Sequence, residues 1–289
     1  MTWVITVNAG RIMKKTMFMF AAALMMVACS NEDVAVNDDV QYVSELKLNF
    51  GGSRVTETAT TSGLSFAWED GDIVKVYETT ATGANYMQFK YDAASDKFVG
   101  NTPATDKMVV GTEYVVVYEL EKTGDNTFSG ELSQGSATPF KELPLISEVF
   151  AATSETAIAS MHHIVGVLEI PVKATNAGTT LSMIEANLYG SENKITGDFT
   201  VTGAPSYTIT PNTEGNTYSN ASVTGLSESL STTTTTSVFI PVFPFSGESI
   251  QIDYTTNNKP NGTGFISATV ETYNVVRGKI TKLPEQTLE

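Results

Sequence analysis

The sequence predicts an all-β protein, because its composition and its hydrophobic spacing both favour strands over helices. Of its 289 residues, 41 are threonine, and only 17% of the chain is charged. Threonine is branched at Cβ and is found most often on the pleated, half-buried surface of a sheet. Apolar residues alternate with polar ones in short segments, which are separated by turns rich in Gly, Asn and Asp. We therefore expect β-sandwiches, with no helical stripe longer than about two turns.

The strand-like segments form two groups, which meet in the irregular stretch 134–160. This stretch contains two prolines and then a run of small residues, which interrupt the alternation. We predict two tandem β-sandwiches, one over residues 42–155 and one over residues 156–289. Within the first, the apolar run Glu113–Leu120 indicates a central strand that is buried on both faces.

The first 28 residues have the layout of a bacterial secretory signal peptide. Lys14 and Lys15 precede an apolar run over residues 16–28, which ends in a small residue. The run is too short to span a membrane, which takes roughly 20 residues. Met13 is a better start for such a signal than Met1, so we expect translation to begin there.

Cys29 is the only cysteine of the chain, and its position predicts that it is lipidated. It follows Met26-Val27-Ala28, and this lipobox pattern suits a signal peptidase that needs a small residue before a diacylglycerol-bearing cysteine. The following residues, 29–41, are acidic and have no apolar period, as expected of a tether. We expect a lipid on Cys29 to hold the exported chain at a membrane surface, with no disulfide to support the fold.

The charge and the motifs of the chain exclude several functions. A net charge of −15 argues against a nucleic-acid partner, because binding to phosphates requires Lys and Arg. The two histidines, His162 and His163, are neighbours and would point to opposite faces of a strand, so they do not suit one metal ion. Asp70-Gly71-Asp72 lacks the further oxygen ligands of a calcium loop and indicates a turn. We expect no catalytic, cofactor-binding or metal site, and hence no enzyme.

Six segments, taken in order, resemble the fimbrillin (Mfa-like) family of Bacteroidales, the subunits of type V pili. They are the lipobox with Cys29, the opening strand Leu46–Phe50, the stretch Phe66–Tyr77 with Trp68 before its acidic turn, and the segments Met161–Ile170, Ile184–Phe199 and Val275–Ile280. The resemblance implies two transthyretin-like β-sandwich domains. It also implies export as a lipoprotein and display in a fimbria at the cell outer membrane.

For stalk subunits the resemblance further implies proteolysis after a basic residue behind the first strand. Between Cys29 and Lys75 the basic residues are Lys47, inside the strand, and Arg54, in a Gly-, Ser- and Thr-rich stretch that should be accessible to a protease. Cleavage between Arg54 and Val55 would allow the strand with Leu46, Leu48 and Phe50 to be displaced. A strand of another pilus subunit would then fill the groove by β-augmentation.

Alternatives to the stalk subunit remain at this point. The chain could be a tip or accessory adhesin that binds host or bacterial surface ligands. It could also be an anchor subunit, or another anchored surface-binding lipoprotein of the same fold. Pro284 interrupts the last residues, so a long donor strand would have to include residues 265–276. The sequence does not decide which segment donates a strand.

Overall fold

The computed structural model describes residues 40–50, 67–81, 83–133, 143–153, 156–188, 191–203, 207–212, 217–259, 262–265 and 272–289. Cys29, Arg54 and Val55 lie outside these residues, as does most of the expected tether. The regular secondary structure of the described residues is entirely β-strand. A helix with the length and apolar character needed to cross a membrane is absent from this part of the chain.

The described residues form short strands, numbered here in chain order. Those in the N-terminal part are β1 (Tyr42–Val43), β2 (Glu45–Phe50), β3 (Ile73–Glu78), β4 (Met87–Asp92), β5 (Lys97–Gly100), β6 (Met108–Val109), β7 (Glu113–Tyr118), β8 (Glu121–Gly124), β9 (Thr127–Leu132), β10 (Leu145–Ser147), β11 (Phe150–Ala151) and β12 (Thr156–His163). The remaining strands are β13 (Gly166–Ala174), β14 (Thr180–Leu188), β15 (Thr196–Thr202), β16 (Thr208–Pro211), β17 (Thr217–Tyr218), β18 (Asn220–Ser229), β19 (Thr236–Val242), β20 (Phe245–Glu248), β21 (Ile250–Thr256), β22 (Gly262–Phe265), β23 (Tyr273–Val275), β24 (Ile280–Lys282) and β25 (Gln286–Leu288).

The first sheet closes on itself. Its strands follow the order β10-β12-β2-β5-β4-β3-β7, and β7 pairs again with β10. The alternation of apolar residues along these strands sends one set of side chains to the inside, where they form the first core. The fully buried members of this core are Val43, Leu46, Val74, Val76, Phe89, Phe98, Met108, Tyr114, Val116, Leu145, Ala157, Ala159 and Met161, among others.

The C-terminal part is built from two facing sheets. One has β13 at its centre, with β19 on one edge and both β24 and β25 on the other. The other has the order β18-β14-β21-β22. Between them lies the second core, to which β13, β14 and β21 contribute alternate apolar side chains, for example Leu168, Ile170, Val172, Leu181, Ile184, Ile252 and Tyr254. This arrangement is a β-sandwich.

A further sheet joins the two parts of the chain. Strands β8 and β9 come from the N-terminal part and pair with β15, which is also flanked by β16 and β17. The inward face of this sheet packs on the outer face of β3 and β7 to form a third core. Its buried residues include Tyr77, Val115, Val117, Leu120, Phe128, Phe199, Val201 and Phe243. Residues 41–289 therefore form one compact unit.

The prediction of an all-β chain built from β-sandwiches is confirmed. The strand expected at Glu113–Leu120 is β7, which pairs on both sides and is buried over Tyr114–Tyr118. The expected turn at Asp70-Gly71-Asp72 is also present, and Gly71 has a positive φ of 100° that favours glycine.

The structure places Thr156–His163 in the first sheet, as strand β12, so this segment belongs to the N-terminal part of the fold. In the sequence this segment looked like part of an irregular junction, because alanine and serine give a weak hydrophobic contrast. The division into domains 42–155 and 156–289 stays a prediction. The pairing of β12 with β2 and that of β15 with β9 both connect residues on opposite sides of the expected boundary.

Candidate functional site

The segment Leu46–Phe50, expected to be a displaceable strand, lies in the interior of the closed first sheet. It forms most of β2, which pairs in parallel with β12 along six residues and antiparallel with β5 over two. The register places Leu46 opposite Ala157 and Phe98, and Phe50 opposite Met161. If β2 left, the sheet would open between β12 and β5, and the backbone groups of both edges would lose their partners.

The inner face of β2 fills space that β12 leaves free. Leu46 is fully buried, whereas Leu48 and Phe50 are half-buried and pack against the first core. Opposite the two leucines, β12 carries Ala157 and Ala159, whose small side chains leave room for the larger ones. Shape complementarity and apolar burial hold these side chains in place. Burial contributes about 1.5–3 kcal/mol to stability for each fully buried leucine or phenylalanine.

Aromatic rings surround the end of β2 at Phe50. Trp68 lies with its ring centroid 5.7 Å from that of Phe50, 4.9 Å from that of Phe98 and 5.3 Å from that of Tyr118. The ring of His163 is also stacked on that of Phe50, with a centroid distance of 6.2 Å. Trp68 is thus a core residue, as the sequence indicated, and not an exposed platform for a sugar.

The start of β2 is held by polar contacts. Glu45 Oε2 accepts hydrogen bonds from Lys97 Nζ at 2.6 Å and from Thr156 Oγ1 at 3.0 Å. One donor stands on each neighbouring strand, so the carboxylate bridges β5 and β12. These hydrogen bonds, with that of Lys97 the strongest, hold the pKa of Glu45 below its ordinary value. Both partners are more than one-third exposed, so this ion pair orients the strand more than it stabilises it.

A second, shorter strand adds to the attachment of this segment. Tyr42 and Val43 form β1, which pairs with β6, and Val43 is almost completely buried. Lys107 Nζ lies 4.1 Å above the ring centroid of Tyr42. The sequence analysis did not find this attachment, since two residues are too few to show a period. The available signal in the sequence was the apolar residue Val43 just before the alternating segment.

Arg54 and Val55 belong to residues 51–66, which connect β2 to the loop before β3. The two ends of this connection are close together, because Phe50 precedes it and Trp68 follows it by one residue, and their rings are in contact. Cys29 lies further upstream. The structure therefore brings Leu46, Leu48 and Phe50 together on one face, while the two processing residues and the lipidation residue fall outside the described ranges.

The described residues contain no group of three or more His, Cys, Asp or Glu side chains suited to a metal ion. The two histidines point to opposite faces of β12, as expected. His162 Nε2 lies 3.1 Å from Glu148 Oε1 near the surface, while His163 is stacked on Phe50. Backbone pairing and apolar side chains hold β2 in the sheet, and these are the interactions by which β-augmentation adds a strand to a sheet edge.

Two solved structures share the fold of this chain. The first, from Bacteroides uniformis, is provisionally assigned to cell adhesion; it has a TM-score of 0.56 and 12% identity, over 84% of this chain and 93% of that one. The second, from Bacteroides ovatus, has the same assignment, with a TM-score of 0.53 and 15% identity over 84% and 91% of the two chains. The chain also matches a fimbrial protein of Bacteroides ovatus at a TM-score of 0.38 and 12% identity, over 87% and 51%.

The first two TM-scores establish a common fold that extends over most of the described residues. At such low identities the likeness concerns the fold alone. No family model matches the sequence, and no curated protein is similar to it at a significant level.

Proposed function

We propose that this protein is a structural subunit of a surface fimbria of the type V pilus kind, assembled by strand exchange. The observation that carries the proposal is the position of β2 inside a closed sheet. It is paired on both edges, yet its inner face is held by one fully buried leucine and two half-buried side chains. Such a strand is stable while attached, and another strand of similar pattern can replace it.

The proposed release of β2 requires a cut in residues 51–66. Arg54 is the only basic residue of this connection, so a trypsin-like protease would cut between Arg54 and Val55. The cut would not remove any contact of β2 with the sheet. It would turn the residues up to and including Arg54 into a separate peptide. This peptide could then leave, and a strand of another subunit could compete for the groove.

Export and anchoring complete the proposal. The signal peptide and the lipobox support transfer of the chain to the cell surface, with a lipid on Cys29 attaching the precursor to the outer membrane. Separation at Arg54 would also free the body of the subunit from this lipid. The proposal involves no enzymatic step by the chain itself, no cofactor and no nucleic acid.

The test uses the chain from Ser30 onward and limiting trypsin. Cleavage should create a new N-terminus at Val55, and gel filtration and electron microscopy should then reveal polymers. The variant Arg54→Ala should remain uncut at this position and monomeric. Lys47→Ala is the matched control, because Lys47 is an exposed basic residue on β2 and its loss should leave both cleavage and assembly unchanged.

A tip or accessory adhesin is the second candidate, favoured by the assignment of both structures with the shared fold to cell adhesion. Its partners would be ligands on host or bacterial surfaces. Clean cleavage at Arg54 that leaves a stable monomer, even with added partner subunits, would contradict the stalk role and favour this one. An anchored subunit that keeps its lipid would instead retain a fatty-acid label on Cys29 in the assembled pilus.

A further inference from the structure

The groove that β2 occupies differs from one end to the other in ways that restrict what can replace β2. We propose that it selects a strand with a carboxylate, aliphatic side chains one and three positions later, and an aromatic ring five positions later, running parallel to β12. This inference rests on the proposed strand exchange and specifies the partner: an extended segment of another protein chain with this pattern and direction.

The two aliphatic positions follow from the shape of the groove. Ala157 and Ala159 are almost fully buried on β12, and they face Leu46 and Leu48 across the parallel ladder. An occupant with small residues at these positions would leave cavities, whose cost rises with their volume. A slip of one residue would turn its apolar side chains outward, so the spacing of the two positions also sets the register.

The aromatic position follows from the rings around Phe50. Trp68 and His163 both lie against this side chain, at ring centroid distances of 5.7 and 6.2 Å. An aromatic ring at this position packs against both neighbours and gains ring contacts in addition to apolar burial. An aliphatic residue would pack against these rings less completely, and a charged residue would lose part of its hydration in the aromatic cluster.

The acidic position follows from two donors that converge on one point. Lys97 Nζ and Thr156 Oγ1 both donate to Glu45 Oε2, from strands on opposite sides of the groove. An occupant with a carboxylate here would satisfy both donors and the charge of Lys97. An amide could accept the hydrogen bonds but would not pair with the charge, and a basic residue would be repelled.

The direction of the occupant follows because the two ends are chemically different. A strand inserted in reverse would place its carboxylate beside Trp68 and His163, and its aromatic ring beside Lys97. The first placement removes a charge from water into the aromatic cluster, and the second leaves the donors at the polar end without an acceptor. The groove therefore favours one orientation as well as one spacing.

The experiment uses the chain from Ser30 onward with a specific protease site introduced within residues 51–66, so that the outcome does not depend on natural processing. After cleavage, a fluorescent peptide of residues 42–50 is added and its capture is followed by anisotropy. In parallel, the cleaved chain is denatured and refolded with excess peptide, which removes any kinetic barrier to exchange. The peptide variants are Leu46→Ala, Phe50→Ala, Glu45→Gln, the reversed sequence and, as a control, Lys47→Ala.

Relative to the native peptide, Leu46→Ala should bind at least about thirtyfold more weakly and Phe50→Ala at least about tenfold. Glu45→Gln should bind about two- to fivefold more weakly, and this difference should vanish in the protein variant Lys97→Met but not in Lys90→Met, which removes an exposed lysine of β4. The reversed peptide should not bind, and Lys47→Ala should bind normally.

The outcomes separate this inference from the proposed function. Equal capture of the native, reversed and Phe50→Ala peptides would overturn the selection pattern while leaving strand exchange intact. Selective capture only after refolding would support the pattern and would contradict exchange as the route of assembly. Failure to capture the native peptide in either format would overturn both, because the groove would then not accept a separate strand.

Discussion

The described residues pair strands in parallel at two places, and the two places differ in how the paired strand is held. Near the start, β2 lies between β12 and β5, with one fully buried side chain on its inner face. Near the end, β24 and β25 pair only with β13 in the described part of the chain. The buried side chains here are Gln286 and Leu288 of β25 and Leu283 of the turn between the two strands.

Polar contacts increase the contrast. The strand β2 has one ion pair, between Glu45 and Lys97, whereas β24, β25 and the turn between them form ion pairs of Lys282 with Glu169 and of Lys173 with Glu285. Thus β2 has two paired edges and few side-chain contacts that hold it, whereas β24 and β25 each have one paired edge and, with the turn between them, more such contacts. A strand that must leave needs weak side-chain anchoring, while a strand that must stay can rely on it.

The third core should couple these two regions, and breaking it gives the largest expected effect. Phe199 is fully buried there, with its ring centroid 5.1 Å from that of Phe243. Phe199→Ala should lower the free energy of unfolding by about 3–5 kcal/mol and should split thermal unfolding into two transitions. Scanning calorimetry measures both. Tyr218→Ala, an exposed aromatic residue of the same sheet, is the control and should change stability little; a single transition in Phe199→Ala would contradict the coupling.

The contrast between the two ends is tested by removing one buried leucine from each. Leu46→Ala and Leu288→Ala should each cost about 2–5 kcal/mol in urea unfolding of the intact chain, because both leucines are fully buried. After cleavage within residues 51–66, Leu46→Ala should accelerate loss of the N-terminal peptide, as followed by gel filtration, whereas Leu288→Ala should not. Leu48→Ala should have an intermediate effect, since that side chain is half-buried. Equal acceleration by Leu288→Ala would show that the ends are not independent.

A close backbone approach at the C-terminal end gives a smaller effect that should be confined to that end. A Cβ atom on Gly166, at the start of β13, would lie 2.4 Å from Val275 Cγ1 and 2.6 Å from the carbonyl oxygen of Val276. Gly166→Ala should therefore cost about 1–3 kcal/mol in thermal unfolding and leave release of the N-terminal peptide unchanged. The control is Gly124→Ala, where the nearest atom would be at an ordinary 3.6 Å. Faster peptide release in Gly166→Ala would contradict this prediction, because it would show that the two ends are coupled.

Acid should weaken both ends slightly, but only the first should respond by releasing a strand. The pKa of Glu45 is lowered from 4.5 by its hydrogen bonds to Lys97 and Thr156, and that of Glu285 is lowered by Lys173 and Thr235. A lowered pKa means that the stabilisation is present above pH 4.5 and is lost as the pH falls through the folded-state value.

The measurement is the rate of peptide release from the cleaved chain between pH 7 and pH 3. Release should accelerate below about pH 4.5 in the wild type, and Glu45→Gln should remove most of this dependence, whereas Glu285→Gln should not. A dependence that survives in Glu45→Gln would assign it to another group. This effect is the smallest of the four, because both carboxylates are near the surface.

Several strands could be predicted from the sequence because each has a strong period of its own. The alternation of Leu46, Leu48 and Phe50 indicated β2 and its inner face, and the apolar run at Glu113–Leu120 indicated a central strand buried on both faces, which is β7. The turn at Gly71 was equally visible, since acidic residues around a glycine favour it. Such signals are local, so they do not depend on knowing which strand lies next to which.

The strand β12 shows why the remainder could not be predicted in the same way. Its inner residues Ala157 and Ala159 are small and lie opposite Leu46 and Leu48, which fill the space beside them. This match of volumes cannot be seen in the sequence of β12 alone, because the leucines stand in a distant segment. The hydrogen bonds of Glu45 with Lys97 and Thr156 likewise connect three residues that stand in separate segments of the sequence. The aromatic contacts of Phe50 with Trp68 and His163 arise from pairing across the chain.

By itself, the sequence determined the class of the fold, the inner face of β2, and the expectation of a signal peptide with a lipidated cysteine. These follow from composition, spacing and short motifs, which act over a few residues. Only the tertiary structure decided that β2 lies between β12 and β5, that the first sheet closes, and that a third core joins the two parts of the chain. The physical reason is that pairing between distant strands depends on complementary volumes and on the entropy of closing long loops, neither of which one segment of sequence encodes.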